Sequence, residues 1–463
     1  MVDLSVPAVG FGVVRVDYVP TSDYISPEIA SVESGRLWRR VWQVACRVEE
    51  VPHPGSYVTY DIADQSVIVL RTGQGGIKVF HNACLHRGRA LTEGCGTMIK
   101  VHCPFHGWQW NLEGQITRVP DRGDWDGYPN MDDDSLHLKE VKVGIWGGWV
   151  FVNLDPDCEA FESFIDPLPK YLDCLEFDKM RFAWRKRFTL KANWKVAIEA
   201  FLESYHVATT HPQAVPVIDP ANFSSAHGKH GRHAYLWETP LGSPGPASGL
   251  PAPTDLRAAV AQMTRWTIDE LSDVKGSGNE DSQMTARSAY ALQRHLTETP
   301  ETASAMEVAM LSQQYMAEAA IAEGAGWPIL TMEQFAEIGA DWNIFPNIAL
   351  VHSLDATLVM WSKPNGKDPE SCQFEMAAIA RYAPDKEPKP TIEYLKDWHA
   401  EIDRIPHLLS QDLSNIEAVH RGLHSISLQG TRINPKQETQ ISHFHEVLHS
   451  YLADKEDGII GFR

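Results

Sequence analysis

Two short segments place cysteine and histidine at spacings that suit a metal cluster. Cys84 and His86 are separated by one residue, Cys103 and His106 by two, and sixteen residues lie between the two pairs. We expect each pair to lie in a tight loop that presents one thiolate and one imidazole to the same point. Four ligands, two for each iron, are what a [2Fe–2S] cluster requires, so these residues are predicted to serve electron transfer.

The types of these four ligands favour one kind of cluster. If Cys84 and Cys103 bind one iron while His86 and His106 bind the other, neutral imidazoles replace two thiolate charges, as in a Rieske cluster. Its potential is then about −150 to +300 mV, against about −400 mV with four cysteines. Structural zinc is the alternative, but its usual first half is Cys-x₂₋₄-Cys, which the first pair lacks. Cys95 has no partner at a suitable spacing and is interpreted as a packing residue.

A second group of polar residues lies in a segment that is predicted to be helical from 195 to 210. Pro212 is expected to end this helix, because proline and the residue before it disfavour helical backbone. Glu199, Glu203 and His206 are spaced at i, i+4 and i+7, which places them on one face.

His206 and His211 are candidate ligands of a mononuclear iron. On a regular helix, residues five apart diverge by roughly 140°, so the two converge only if the helix distorts or ends between them. Two histidines and one carboxylate bind ferrous iron and leave positions open for O₂ and substrate. The best carboxylate is Asp412, on a predicted helix near the C-terminus. Two histidines on a helix are more often ordinary side chains, but a cluster in the same chain needs an electron acceptor.

The remaining sequence predicts one all-β block followed by an α+β block. Residues of about 40–155 contain short β-branched and aromatic runs bounded by glycine. The predicted strands are 57–60, 66–70, 77–81, 98–102 and 141–153, then 181–190, 340–350, 354–361 and 374–382. Helices are predicted over 195–210, 391–421 and 441–452, with helical composition over 255–323 after a Pro/Gly-rich loop at 239–254.

Composition excludes several classes of partner. The chain has 463 residues and a formal net charge of −20, which disfavours nucleic acid and anionic membranes. Its 7 cysteines do not suggest a disulfide framework. We find no signal peptide and no apolar run of the ~18–20 residues that span a bilayer, and expect a soluble, cytoplasmic protein. Residues 73–76, Gly-Gln-Gly-Gly, are interpreted as a hairpin turn and not as a nucleotide fingerprint.

From about residue 36 to 450 the sequence resembles the α (large, catalytic) subunit of Rieske non-heme iron ring-hydroxylating oxygenases. The resemblance rests on the four cluster residues and on Asn193-Trp194-Lys195 leading into Glu203, His206 and His211. It also rests on Gln411-Asp412 with Arg421-Gly422-Leu423, and on Phe345-Pro346-Asn347, which resembles a strand lining the family's substrate pocket.

The resemblance implies a Rieske domain and a helix-grip (START-like) catalytic domain with an antiparallel sheet, an α+β fold class. We expect an N-terminal segment (1–39) packing on the catalytic domain, a Rieske domain (40–155) and a catalytic domain (156–463) with a loop and helical insertion at 239–330. It implies homotrimers (α₃) or α₃β₃ assemblies in which the cluster of one subunit reduces the iron of its neighbour.

The resemblance also assigns cofactors and residue roles. It implies one [2Fe–2S] cluster and one Fe²⁺ per subunit, O₂ as co-substrate, and NAD(P)H acting only through a separate flavin reductase or ferredoxin. It assigns His206, His211 and Asp412 as iron ligands, with Glu417 as the alternative carboxylate. Glu203, where many members have Asp, is assigned the electron relay between a cluster histidine and an iron-ligand histidine of neighbouring subunits.

Further residues are expected around these centres. Glu199 and Tyr205 are candidates for packing against or orienting a ligand histidine. Docking candidates near the cluster are Arg87, Arg89, Lys100 and Trp108. Mostly apolar candidates for a pocket that binds a hydrophobic substrate are Phe201, Leu202, Val207, Ile344, Phe345, Leu350, His352 and Met360.

Three functions remain open. The first is dioxygenation of an aromatic substrate to a cis-dihydrodiol. The second is monooxygenation, or O- or N-demethylation, of an aromatic or terpenoid-like molecule. The third is an electron carrier or ligand-binding protein that lacks the second iron, which the 300 residues beyond the β block argue against.

Overall fold

The computed structural model describes residues 12–236, 238–271 and 285–453. The described chain forms two compact units, residues 31–164 and residues 12–30 with 165–453. Parts of the predicted N-terminal segment (1–11), insertion (272–284) and catalytic domain (454–463) lie outside the described residues. No helix in the described ranges is long and apolar enough to cross a membrane.

The first unit consists mainly of short strands. Numbered along the whole chain, they are β2 (Gln43–Arg47), β3 (Ser56–Ile62), β4 (Gln65–Arg71), β5 (Ile77–His81), β6 (Cys95–Thr97), β7 (Val101–His102), β8 (Gln109–Trp110), β9 (Ile116–Arg118), β10 (Glu140–Trp146) and β11 (Trp149–Asn153). Antiparallel pairing orders one sheet β2-β11-β10-β5-β4-β3-β6, and β7-β8-β9 form another. The short helices here are α3 (Asp133–Leu136) and α4 (Phe161–Ile165).

The core of this unit lies beneath the loops that carry the cluster residues. Ile68, Leu70 and Phe80 from the large sheet pack with Val101 and Trp110 from the small one. The turn at 72–76 joins β4 to β5, which are antiparallel neighbours, so the predicted hairpin turn is confirmed.

The second unit is built on an eight-stranded sheet. Its strands are β12 (Met180–Leu190), β13 (Asn222–His227), β14 (His230–Tyr235), β15 (Asp341–Ile344), β16 (Ile348–His352), β17 (Ala356–Asn365), β18 (Asp368–Arg381) and β19 (Glu393–Tyr394). The order is β13-β14-β15-β16-β17-β18-β12-β19, antiparallel except for the β12–β19 pair. A separate pair joins β1 (Tyr18–Pro20) to β20 (Gly430–Arg432).

Helices cover this sheet and form the insertion. They are α1 (Ser22–Ile25), α2 (Pro27–Val32), α5 (Leu168–Leu172), α6 (Trp194–Glu199), α7 (Val207–Thr210), α8 (Leu256–Leu271), α9 (Ala286–Glu298), α10 (Ala305–Glu323), α11 (Met332–Glu337), α12 (His407–Leu423) and α13 (Thr439–Leu452). An all-β unit and a mainly antiparallel sheet with helices confirm the predicted α+β fold class.

The predicted helix over 391–421 is wrong in its first half. Glu393 and Tyr394 form β19 beside β12, and the Lys186 ammonium lies 3.1 Å from the Glu393 carboxylate. Helix α12 begins only at His407, directly after Pro406. Proline forces the preceding residue into extended backbone, and the strand pairing outweighs helical propensity upstream.

Candidate active site

Two tight loops of the first unit carry the cluster residues. The loop after β5 holds Cys84, and the loop between β7 and β8 holds Cys103. Gly88 and Gly107 have φ of +73° and +76°, and their backbone N–H groups donate to the carbonyls of Cys84 (2.8 Å) and Cys103 (3.1 Å). Glycine adopts this left-handed backbone without steric cost, so each loop turns sharply just after its predicted histidine ligand.

The structure brings the four predicted cluster ligands together. Cys84 and Cys103 are 4% and 1% exposed, and the Nδ1 atoms of His86 and His106 lie 3.1 Å apart nearer the surface. Burial raises the pKa of the Cys84 thiol, and the neighbouring Cys103 thiol adds to the effect. Bound iron reverses this preference because a metal stabilises the thiolate. Two thiols and two imidazoles at one place fit a Rieske [2Fe–2S] cluster.

Trp108 is not a docking residue. It is 3% exposed, and its ring stacks on that of His86 with centroids 5.3 Å apart and planes 6° apart. The Trp125 ring contacts both the His86 and the Trp108 rings in an edge-to-face arrangement. These rings hold the orientation of the His86 imidazole.

The surface beside the cluster loops is basic and aromatic. Arg87, Arg89 and Lys100 are exposed, so their predicted docking role stays a prediction. Sequence reasoning missed Phe105, which is 55% exposed with its ring centroid 3.8 Å from that of His106. An aromatic residue one position before a ligand histidine was the available signal.

In the second unit, two histidines and an aspartate converge. Nε2 of His211 lies 2.9 Å and Nε2 of His206 3.5 Å from Oδ1 of Asp412. One ligand atom from each residue lies within 4.8 Å of the others. This donor set fits a ferrous ion with open coordination positions.

The helix predicted over 195–210 is interrupted, and its second part ends before His211, so the two histidines are not both part of one regular helix. Asn193 caps α6 by accepting the backbone N–H of Lys195 at 3.0 Å, but α6 ends at Glu199. Residues 200–206 are irregular, and α7 then runs only from Val207 to Thr210. Its end just before Pro212 is as predicted.

Glu203 explains where the second short helix begins. Its carboxylate accepts the backbone N–H of His206 at 3.1 Å and lies 2.6 Å from the Nδ1 atom of the same residue. Such local bonds compete with a continuous helix. Burial alone lowers the pKa of His206, but the bond and charge of Glu203 and the charge of Asp412 outweigh burial, so the pKa is raised.

Asp412, and not Glu417, faces the two histidines. Both lie on buried positions of α12, but the Glu417 carboxylate accepts from the indole N–H of Trp398 at 3.2 Å and lies 3.0 Å from Nε2 of His399. Glu417, the alternative ligand, therefore bonds to Trp398 and His399 and not to the two histidines.

A hydrogen-bond chain links His211 to the helical insertion. Its Nδ1 atom lies 2.8 Å from Oε1 of Gln411, which also accepts from Nε2 of Gln213 at 2.6 Å. Gln213 donates in turn to Glu270 on α8 at 3.2 Å, and Glu270 lies 2.6 Å from Nδ1 of His407. With Gln411 as acceptor, His211 carries a proton on Nδ1 and keeps Nε2 free for a metal.

The contacts of Glu199 and the exposure of Tyr205 differ from what the sequence predicts. The two oxygens of Glu199 bond to the Tyr24 hydroxyl at 3.0 Å and to Nε2 of His445 at 2.7 Å, not to a candidate ligand histidine. Tyr205 is 59% exposed, so in this structure it is not packed in the interior. The sequence offered no signal for Tyr24 or His445, which lie far from the motif.

A cavity of about 260 Å³ opens beside the candidate iron ligands. It is lined by Val196, Glu199, Ala200, Glu203, His206, Asp412, Asn415, Ile416, Val419 and Ile441, none of which is among the eight predicted pocket residues.

Those eight pocket candidates are divided between different parts of the core. Leu350 pairs with Val359, and Met360 is the next residue along β17, so Leu350 and Met360 point to opposite faces of the sheet. One pocket on a single face of the sheet cannot be lined by both, because successive residues of a strand point to opposite faces. Ile344 and His352 share the Leu350 face.

Aromatic packing accounts for two more candidates, and the rest stay predictions. The Phe201 ring stacks on Phe374 at 5.8 Å, and Phe345 packs on Phe444 at 5.6 Å. Burial lowers the pKa of His352 to about 4, so this imidazole is neutral. Leu202 is fully buried and Val207 opens α7.

Two protein families match the chain. The family described as "Ring hydroxylating alpha subunit (catalytic domain)" matches residues 177–454, and "Rieske [2Fe-2S] domain" matches residues 41–129. The first match alone covers more than half of the chain.

Curated relatives match over a shorter stretch. A glycine betaine monooxygenase oxygenase subunit from Chromohalobacter salexigens is 34% identical over 197 residues, which is 42% of this chain and 43% of that protein. The anthranilate 1,2-dioxygenase large subunit from Acinetobacter baylyi is 30% identical over 204 residues, 42% of each. The matched stretch thus spans less than half of these relatives.

One solved structure extends the similarity of fold to nearly the whole chain. A quaternary ammonium Rieske monooxygenase in complex with L-carnitine is 16% identical, with a TM-score of 0.62 over 95% of this chain and 97% of that one.

Proposed function

This chain belongs to the ring-hydroxylating oxygenase alpha subunit family, and we propose that it inserts one oxygen atom of O₂ into a C–H bond of a quaternary ammonium compound. The observation that carries an oxygenase function is the convergence of His206, His211 and Asp412 in a chain that also holds a Rieske cluster site. When bound, the iron would supply O₂ activation and the cluster would supply electrons. The overall balance is R–H + O₂ + 2 e⁻ + 2 H⁺ → R–OH + H₂O.

We assign a separate role to each residue around the candidate iron site. His206, His211 and Asp412 would hold the iron. Gln411 orients His211, and Glu203 orients His206. We further propose that Glu203 accepts a hydrogen bond from a cluster histidine of a neighbouring subunit, because a carboxylate retains acceptor capacity beyond the two bonds seen here.

The relatives support monooxygenation more than ring dihydroxylation. The relative with the higher identity of the two is named a glycine betaine monooxygenase, and the similar fold is that of a quaternary ammonium monooxygenase. The aromatic dioxygenation that the sequence suggests first is therefore unconfirmed. It remains the second candidate because the anthranilate dioxygenase large subunit matches over a stretch of similar length.

The electron source is proposed to be a separate ferredoxin or flavin reductase, and the assembly a homotrimer or an α₃β₃ complex. Exposed Arg87, Arg89 and Lys100 and the ring of Phe105 around the cluster loops suit an acidic redox partner with an apolar contact.

The test combines metal counting with labelled oxygen. Purified protein should contain three irons per chain and no zinc at the cysteine site. With a reductase, ¹⁸O₂ and glycine betaine, L-carnitine or anthranilate, mass spectrometry should find one labelled atom in the product of a quaternary ammonium substrate. Two labelled atoms in an anthranilate product would establish the second candidate. Two irons per chain with no O₂ consumption would contradict both and favour an electron carrier.

A further inference from the structure

A buried run of hydrogen bonds leads away from the active-site cavity. Nε2 of His445 lies 2.7 Å from Oε1 of Glu199, and Nδ1 of His445 lies 3.0 Å from Oδ2 of Asp23. Oδ2 of Asp23 also lies 2.7 Å from Nε2 of His449. The Tyr24 hydroxyl donates to the other oxygen of Glu199 at 3.0 Å. These contacts join α1, α6 and α13.

The two ends of this run differ in exposure. Glu199 lines the cavity that also contains Glu203, His206 and Asp412. At the other end the His449 side chain is 15% exposed, whereas the links between, Asp23 and His445, are 1% and 0% exposed. The hydrogen-bonded run therefore connects the partly exposed imidazole of His449 to the cavity beside the candidate iron ligands. The two residues between, Asp23 and His445, are closed to water.

His445 is a protonated imidazole within this run. Both of its ring nitrogens face carboxylate oxygens, and each can donate only if it carries a hydrogen. Burial alone lowers the pKa of His445, but Glu199 and Asp23 outweigh it and raise the pKa to about 9. At neutral pH, His445 thus holds a proton in the middle of this hydrogen-bonded run.

The reaction creates a demand for protons at this cavity. Monooxygenation and dihydroxylation each consume two protons and two electrons per O₂. Apart from Glu199, His206 and Asn415, the residues that line the cavity are apolar or carry the carboxylates of Glu203 and Asp412. Burial raises the pKa of Glu438 to about 7, with the charges of Glu203 and Glu199 adding to the effect.

We propose that His449, Asp23, His445 and Glu199 form the path by which protons enter the iron-site cavity. This inference rests on the proposed oxygenase function. A proton passes from Nε2 of His445 to Glu199 as negative charge builds up in the cavity. Neutral His445 keeps its hydrogen on Nδ1, so the ring must turn over to present the bare nitrogen to Asp23. That nitrogen then accepts the proton that Asp23 takes from His449, and His449 regains one from solvent. No electron moves along the path.

A metal site at Asp23, His445 and His449 is the alternative, because the three offer ligand atoms within 4.8 Å. A bound cation would require unprotonated nitrogens facing Asp23. The position of His445 between two buried carboxylates favours the protonated form instead, so the hydrogen-bonded path is the better account.

The test measures proton uptake separately from turnover. The metal-loaded enzyme is first reduced without O₂ while cluster bleaching is followed, and it is then mixed with O₂ and the substrate found by the labelled-oxygen test in a stopped-flow instrument with a pH-indicator dye. We expect Asp23→Asn and His449→Ala to slow proton uptake at least ten-fold while cluster reduction is unchanged. His443→Asn is the matched control, since His443 lies on the same helix but bonds to the Gly228 carbonyl.

Chemical rescue distinguishes a proton path from a structural role. Added imidazole should restore proton uptake in His449→Ala, whose site is partly open to solvent, and not in Asp23→Asn. Unchanged uptake in a folded His449→Ala protein, or a loss that imidazole does not restore, would overturn the proposal. So would a fourth metal ion per chain that disappears in Asp23→Asn.

Failure of the proposed function gives a different result. ¹⁵N-histidine NMR of the resting protein reports whether His445 is protonated at both nitrogens at pH 7.5, whatever the enzyme oxidises. A neutral His445 would contradict the path, whereas an absence of O₂ consumption with a protonated His445 would contradict the oxygenase function.

Discussion

The Oε1 atom of Glu203 lies 2.6 Å from the Nδ1 atom of His206, and its Oε2 atom accepts the backbone N–H of the same residue. One carboxylate therefore sets the backbone at the start of α7 and the tautomer of a candidate iron ligand.

Replacing Glu203 with glutamine should stop electron delivery without unloading the metals. The amide keeps the shape of the side chain but loses the negative charge that stabilises a proton on Nδ1 of His206. Turnover should fall at least 100-fold, while three irons and a reducible cluster remain. Glu446→Gln, on α13, is the charge-matched control. Near-normal turnover in Glu203→Gln would contradict the relay.

Asp412→Ala should remove the mononuclear iron alone. Loss of the carboxylate that lies beside both His206 and His211 leaves two neutral ligands, so iron content should fall from about three to about two per chain with the cluster spectrum intact. Glu417→Gln should retain all three irons, because its carboxylate serves Trp398 and His399. Intact metal occupancy and turnover in Asp412→Ala would show that the assigned carboxylate is wrong.

Gln411→Ala should weaken iron binding through His211. The variant leaves Nδ1 of His211 without the acceptor that fixes its ring, and outer partners of this kind change metal affinity about 10–100-fold. Competition with a ferrous chelator measures the change. Ser414→Ala, on the same helix with its hydroxyl bonded to the Ser410 carbonyl, is the control. Equal affinities in the two variants would refute the role of Gln411.

Stability should depend on pH through His445. Its folded pKa of about 9 lies above the ordinary value of 6.5, so the folded state binds its proton more tightly than the unfolded state. The resulting stabilisation is complete below about pH 6.5 and is lost as pH rises towards 9, with a slope of at most about 1.4 kcal/mol per pH unit.

The measurement is the thermal unfolding midpoint of wild type and His445→Gln at pH 7 and at pH 9. The advantage of wild type should shrink at the higher pH, and His443→Gln should not show this dependence. An advantage that is constant between the two pH values would contradict a protonated His445.

Much of the site was predictable because its information is local. Cys-x-His and Cys-x-x-His each fit within one turn of a loop, so the spacing of Cys84, His86, Cys103 and His106 specified a cluster before any fold was known. The short strands of the first unit followed from β-branched runs between glycines, since that alternation depends only on neighbouring residues.

The tertiary structure decided what depends on distant partners. Asp412 and Glu417 are both carboxylates of one helix, and only its packing shows that Asp412 faces His206 and His211. The predicted pocket residues are mostly apolar, but strand register places Leu350 and Met360 on opposite faces of the sheet.

By itself, the sequence determined which donors exist and how closely they can approach along the chain. The fold alone decided the strand at 393–394 and the hydrogen-bonded run that joins Asp23 to His445. Each of these depends on pairing or burial between residues far apart in sequence. The free energy of such contacts cannot be predicted from a local sequence pattern.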